Sequence, residues 1–228
     1  YVKINCASAV TGTSGPYSLG VSDVYRIRNI IKKSSSFPTS NTDGTDVKSQ
    51  FVFNNGQKDS LYDHATITPI TPLESTDRLL VEFDFFEPSY TLGKGYFTVD
   101  SYPVNDNIVS DTTIRTENIP LFTSPRSKLI YDLRNYIDIR PIKAATANTS
   151  AISVAGATVN PAVSDSYNFD TNGIRLFAPS TQFSYDYSYY LPRRDLIVMD
   201  KTGFVTDIKG NPAPYPVTPT TPENTMSL

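Results

Sequence analysis

The chain has 228 residues, 39% of them hydrophobic, with 15 Tyr, 12 Phe, 17 Pro, 11 Gly, one Cys and a formal net charge of −3. That length holds one large or two small domains, and the aromatic content favours pleated, half-buried β surfaces. The composition argues against a basic nucleic-acid-tracking surface and an intrachain disulfide, and no apolar run approaches the roughly 20 residues of a membrane-spanning helix.

The opening residues 1–9 (YVKINCASA) read as the middle of a strand, so a longer parent polypeptide is expected. Val24–Ile31 alternates apolar residues with Arg26, Arg28 and Asn29, which predicts a strand with one wet face. A Ser/Thr/Asn/Asp-rich loop over 32–46 follows, then predicted strands at Val47–Phe53 and Ala65–Ile70 around an Asn54-Asn55-Gly56 turn. Leu79–Phe86 gives the clearest pattern, with Leu79, Val81, Phe83 and Phe85 inward and Glu82 and Asp84 outward. Gly95–Val99 is expected to be a further strand. Lys128–Arg140, held between Pro125 and Pro141, is expected to be irregular and extended rather than helical.

Residues 144–166 turn to small Ala, Ser, Thr and Val, which predicts an exposed loop or a linker. Tyr189–Gly210 (YYLPRRDLIVMDKTGFVTDIKG) reads as two strands joined by a Gly-containing turn. Pro212, Pro214, Pro216, Pro219 and Pro222 then favour an extended strap. The predicted fold is therefore mainly β: one or two antiparallel sandwich-like modules with long loops and a Pro-rich C-terminal strap. The expected divisions are a module at 1–143, a linker or loop at 144–166, a hairpin module at 167–211 and an extended linker at 212–228.

Few residues offer chemistry. His64 is the sole histidine, no H-x-x-x-H, C-x-x-C or G-x-S-x-G pattern accompanies it, and a structural role at a turn-to-strand junction is expected. Cys6 reads as a small buried hydrophobe. Acid pairs such as Glu82/Asp84, Asp84/Glu87 and Asp132/Asp138 could serve glycoside hydrolysis, but strand faces carry such pairs routinely and a solvated face is favoured. No calcium loop and no Gly-rich phosphate cradle is present, so no catalytic, metal or cofactor residue is assigned. The remaining candidates are for an interface. Tyr185, Tyr187, Tyr189 and Tyr190 cluster, with Phe183, Tyr185, Tyr187 and Tyr189 on one strand face, and Arg193 and Arg194 follow. With Asp195 the arginines are expected to form local ion pairs, a buried register-setting pair being one form open to them, and core packing competes with docking for the tyrosines.

Five segments, GQKDSLYDHATI, LLVEFDFFEP, GYFTVDSYP, IPLFTSPRSKLIYDLRNYIDIRP and YYLPRRDLIVMDKTGFVTDIKGNPA, occur in that order. Together they resemble segments of large virion proteins of contractile-tailed bacteriophages, especially those infecting marine cyanobacteria. The last of them is similar to a domain of unknown function in phage tail proteins. The resemblance spans about Asp46 to Pro222, with Ile139 standing where the pattern has Phe. It implies a baseplate, tail or tail-fibre component located in the virion, with no catalytic residues to carry over and with structural roles for Asp63 and His64. The expected partners are other virion subunits, including copies of itself. The alternatives are a host-surface glycan adhesin using the exposed tyrosines, and a tail-associated depolymerase.

Overall fold

A computed structural model of the chain describes residues 1–87, 96–108, 110–149, 153–167, 180, 182, 184, 186 and 189–228. The chain divides into two compact units, Tyr1–Ala178 and Pro179–Leu228.

In the first unit two sheets face one core. The larger sheet has the order β10-β1-β7-β3-β4, built from β1 (Val2–Asn5), β3 (Val24–Ser34), β4 (Thr45–Asp46), β7 (Asp77–Phe85) and β10 (Thr158–Val159). The smaller has the order β2-β6-β5, from β2 (Tyr17–Ser22), β5 (Phe51–Asn54) and β6 (His64–Pro69). Alternation along the strands dictates what is buried. Val2 and Ile4, Ile27 and Ile30, and Leu79 and Val81 come from the large sheet; Tyr17, Leu19 and Val21, with Ala65 and Ile67, come from the small one. Cys6 lies in the same core, with burial pushing its thiol pKa up. The result is a mainly β, sandwich-like, predominantly antiparallel fold.

The outer face of β7 is less open to water than alternation suggests. Arg26 and Arg28 both engage Asp84, at 2.5 and 2.8 Å. Glu82 accepts from Tyr1 Oη, Asn29 and Asn41. Although burial pushes the Asp84 carboxyl up, the two guanidinium groups hold it below its usual range.

Two predicted strands are shorter than expected. The Val47–Phe53 stretch opens with a 3-10 turn at Lys48–Gln50, because Asp46 Oδ1 accepts from Lys48 N at 3.0 Å, and becomes a strand only at Phe51. Phe97 forms a bridge with Asp138, after which Thr98 and Ser101 cap each other around a 3-10 turn at Val99–Ser101. Gly95 lies outside the described residues. Within Lys128–Arg140, β9 (Ile130–Asp132) pairs with β8 (Leu121–Thr123) and is followed by a single 3-10 turn at Leu133–Asn135.

The small-residue stretch 144–166 is sewn onto the first unit rather than linking two modules. Strand β10 pairs in parallel with β1, and Asn160 Oδ1 accepts from Asn5 N at 2.7 Å while Asn160 N donates to Lys3 O at 2.9 Å. Thr146 N and Ala147 N both donate to Gly20 O, and Ala147 packs on the core. Small side chains permit this approach: a Cβ at Gly20, whose φ is +69°, would lie 2.5 Å from Pro161 Cβ and 2.8 Å from Ala147 N.

The second unit contains β11 (Leu196–Asp200), β12 (Val205–Ile208) and β13 (Thr225–Ser227), in the order β12-β11-β13. The β11–β12 hairpin turns at Gly203, where Asp200 Oδ1 accepts from Thr202 N and Phe204 N. The Pro-rich segment was expected to run on as a linker. Its end instead folds back as β13, pairing antiparallel with β11, and Leu228 N donates to Ile197 O at 3.0 Å. Proline cannot donate to a ladder, but Thr225, Met226 and Ser227 can.

Gly20→Ala is expected to destabilise the first unit by about 2 kcal/mol or more, through left-handed backbone strain and the clash with the 146–161 segment. Thermal unfolding followed by circular dichroism checks this; an unchanged Tm would mean that the segment does not pack on β2.

Candidate functional site

Where the chain leaves β2 for β3 it passes from the small sheet to the large one, and Asp23 sits at that corner with φ of +53°. Asp is among the few residues that adopt this conformation readily. The corner turns the Asp23 side chain into a polar cluster under the sandwich edge. Gln57 Nε2 donates to Asp23 Oδ1 at 2.8 Å. Gln57 and Tyr62 are placed by the Asn54–Tyr62 turn, in which Gly56 (φ +82°) lets the chain pass so close that a Cβ there would lie 2.2 Å from Asp63 O.

Arg140 is the hub. Its guanidinium makes a forked contact with Asp138, with Nη2 at 2.6 Å from Oδ2 and Nε at 3.0 Å from Oδ1. It also donates to Tyr62 Oη at 3.0 Å, Gln57 Oε1 at 3.3 Å and Lys58 O at 2.9 Å. The plane is enclosed by the rings of Tyr62 and Phe122, at 4.3 and 4.1 Å from its carbon. Tyr62 Oη donates to Asp138 Oδ2 at 2.5 Å. Burial works against the Arg140 charge, yet Asp138 and Tyr62 raise its pKa further. Asp23 lacks such a partner, and burial pushes its carboxyl from an ordinary 3.8 to about 6, with Gln57 and Arg140 only partly opposing.

Beside Asp23 opens a cleft of about 290 Å³ lined by Tyr62, Phe85, Phe86, Phe97, Tyr102 and Pro103, with Ser101, Ile142 and Glu87 completing it. Two edge-on ring pairs form its walls: Phe86 with Tyr102 at 5.1 Å, and Tyr62 with Phe97 at 6.3 Å. Every motif upstream of residue 143 singled out in the sequence contributes. Gln57 and Tyr62 come from GQKDSLYDHATI, Phe86 from LLVEFDFFEP, Phe97 and Tyr102 from GYFTVDSYP, and Asp138 and Arg140 from NYIDIRP. Sequence reading missed this site because Gln57 stands 34 residues from Asp23 and 83 from Arg140, the two side chains it joins. The signal available was the Asp138-x-Arg140 pair beside an aromatic-rich set of motifs.

His64 is buried and its Nε2 donates to Ala144 O at 2.8 Å, with burial lowering its pKa. Nδ1 has no hydrogen-bond partner among the described residues. Asp63 binds Lys58 and, at 2.9 Å, Lys143; although burial opposes it, these lysines hold its carboxyl down at about 2. Asp63 and His64 thus anchor the chain at 143–144. The acids considered for hydrolysis are engaged separately: Asp84 by Arg26 and Arg28, Asp132 by Arg134, and Asp138 by Arg140.

Of the interface candidates, Tyr185 and Tyr187 lie outside the described residues, as does Phe183. Tyr189 and Tyr190 are exposed, as are Arg193 and Arg194. Arg193 pairs with Asp195 at 2.8 Å through both oxygens, and Asp195 Oδ1 also accepts from Gly210 N. That pair is exposed rather than buried, so it fastens the base of the hairpin at the surface. A feature the sequence reading did not reach lies on the sheet itself. Register places Ile197, Met199, Val205 and Met226 on one face, with Leu228 beside Ile197. Ile197, Val205, Met226 and Leu228 are each about half exposed or more. Val198, on the opposite face, is the single fully buried hydrophobe among the described residues of this unit.

A family model described as a domain of unknown function, DUF4815, matches residues 154–228. The matched segment includes the whole of the second unit. No curated protein and no solved structure matches the chain.

Two outcomes are expected. Arg140→Ala, which leaves Asp138 buried and unpaired, should cost about 3–5 kcal/mol in urea denaturation. Asp23→Asn keeps the Gln57 bond and suits the left-handed backbone. Because folding raises the Asp23 pKa, its stabilising, protonated form persists below about pH 4 and is lost as pH rises through about 6. The variant should therefore be more stable than wild type at pH 7.5, by up to about 3 kcal/mol, and equal to it near pH 4. A pH-independent difference would contradict the assignment.

Proposed function

We propose that this chain is a structural segment of a bacteriophage virion, part of a baseplate, tail or tail-fibre protein, whose second unit docks on other subunits. The observation that carries the reading is the apolar face of the β12-β11-β13 sheet. Three short strands cannot close a core of their own, and a face presenting Ile197, Val205, Met226 and Leu228 gains stability when a partner covers it. Exposed Tyr189, Tyr190 and Tyr215 and the arginines nearby in sequence add the residue types enriched at interface centres. The motif resemblance supports the virion assignment. Copies of the same chain and neighbouring virion proteins are the partners in this reading, and it assigns no catalytic step. Because β13 completes the sheet, removing 212–228 would unpair β11 as well as removing the strap, so point substitutions give the cleaner test.

The chain should self-associate, or co-assemble with the next virion subunit, in sedimentation velocity at tens of micromolar. Ile197→Asp combined with Met226→Lys should abolish that association without lowering the Tm of the first unit. A chain that stays monomeric and also binds no other virion subunit would overturn the proposal, as would unchanged association of the double variant. Saturable glycan binding in place of subunit association would redirect it to host attachment.

A further inference from the structure

The cleft beside Asp23 has a charge imbalance that its described residues do not resolve. Asp138 and Arg140 neutralise each other, and Lys58 and Lys143, which follow Gln57 and Ile142 in the chain, are both committed to Asp63. Asp23 is more than nine-tenths buried, lines the cleft, and offers a second oxygen, Oδ2, that has no hydrogen-bond partner among the described residues. Glu87 adds a second acid to the lining, and no basic residue is among the described residues that form it. Most of the remaining wall is aromatic: Tyr62, Phe85, Phe86, Phe97 and Tyr102. A ring face attracts a cation through its quadrupole, and a desolvated carboxylate gains most from a counter-charge that needs little hydration. An organic ammonium satisfies both at once. A neutral sugar would stack on the rings but leave the buried charge uncompensated, and an anion would be repelled.

We propose that the cleft formed by Asp23, Tyr62, Phe86, Phe97 and Tyr102 is a binding site for an alkylammonium group, borne by a small amine or by a lysine side chain of another chain. The ammonium sits between the two edge-on ring pairs, with Asp23 Oδ2 as its direct counter-ion and Glu87 contributing to the field. The groups bearing on Asp23 are Gln57 by hydrogen bond, Arg140 as the attractive charge, and Asp138 as the repulsive one. Tyr62 and Tyr102, whose hydroxyls burial holds neutral far above physiological pH, add no charge of their own. Binding therefore follows the ionisation of Asp23.

The test uses the full chain, with intrinsic tyrosine fluorescence and calorimetry as readouts. The probes are n-butylammonium, butyltrimethylammonium, N-acetyl-lysine amide and 1-butanol. The three cations should bind at pH 7.5 and the alcohol should not, and affinity should fall about tenfold at pH 5, where most of Asp23 is protonated. Asp23→Asn should abolish binding while its thermal unfolding shows a folded protein, and Tyr102→Ala should weaken it severalfold. Tighter binding of the lysine amide than of butylammonium would mark a chain-borne ligand, and the reverse a free amine. Equal binding of butanol, binding retained in Asp23→Asn, or no binding of any cation overturns the proposal. None of these results bears on whether the second unit docks, so the two readings fail separately.

Discussion

The forked contact between Arg140 and Asp138 is the interaction on which the rest of the first unit depends. Both side chains are nearly buried, and a guanidinium can be held there only if each of its directions finds an acceptor or a ring. Asp138, Tyr62, Gln57 and Lys58 O supply the acceptors, while Tyr62 and Phe122 supply the faces. Satisfying one ion thus brings the 57–62 turn, the 119–133 cluster and the 138–142 segment together. Tyr62 N donating to Pro141 O, and Lys143 N to Tyr62 O, extend that weld along the backbone. The cleft exists because this weld stands beside the corner at Asp23, where the chain changes sheets.

Burial also separates the two carboxylates of the cluster by role. Asp138 is paired, and its oxygens are consumed by Arg140 and Tyr62. Asp23 is buried at least as deeply but holds a single neutral donor, so its charge is costly and its carboxyl is pushed above the ordinary range of an Asp. A structural acid can be recognised by its partners; an acid kept in this condition at a cleft wall suggests a ligand. The stability cost there would be the kind of local concession that binding sites make.

The strands were readable where alternation was strong and one face was buried, as in β3 and β7, while the β11–β12 hairpin was readable from an apolar run and its Gly203 turn. Leu79 and Val81 do face the core, while Phe83 and Phe85 lie half-buried at its edge. The 144–166 stretch was expected as an exposed loop or a linker, and its pairing with β1 was hidden because Ala, Ser and Thr carry no period and close packing of small residues against Gly20 leaves no hydrophobic signature. Strand β13 was hidden by proline spacing, which is silent about the three residues after it. The site was illegible for a different reason: buried polar residues look like surface residues in sequence, and Asp23 looks like any turn Asp. Its other polar members, Gln57, Tyr62, Asp138 and Arg140, were present in the motifs that carried the resemblance, so what sequence lacked was their convergence on Asp23.

The central claim, that the Arg140 network joins these motifs as one cooperative unit, is tested most directly by a double-mutant cycle on Tyr62→Phe and Arg140→Met in urea denaturation. The account predicts a coupling energy of about 1–3 kcal/mol between the two positions. Additive effects, equal within about 0.3 kcal/mol, would mean that the two side chains are neighbours without being partners, and would contradict it.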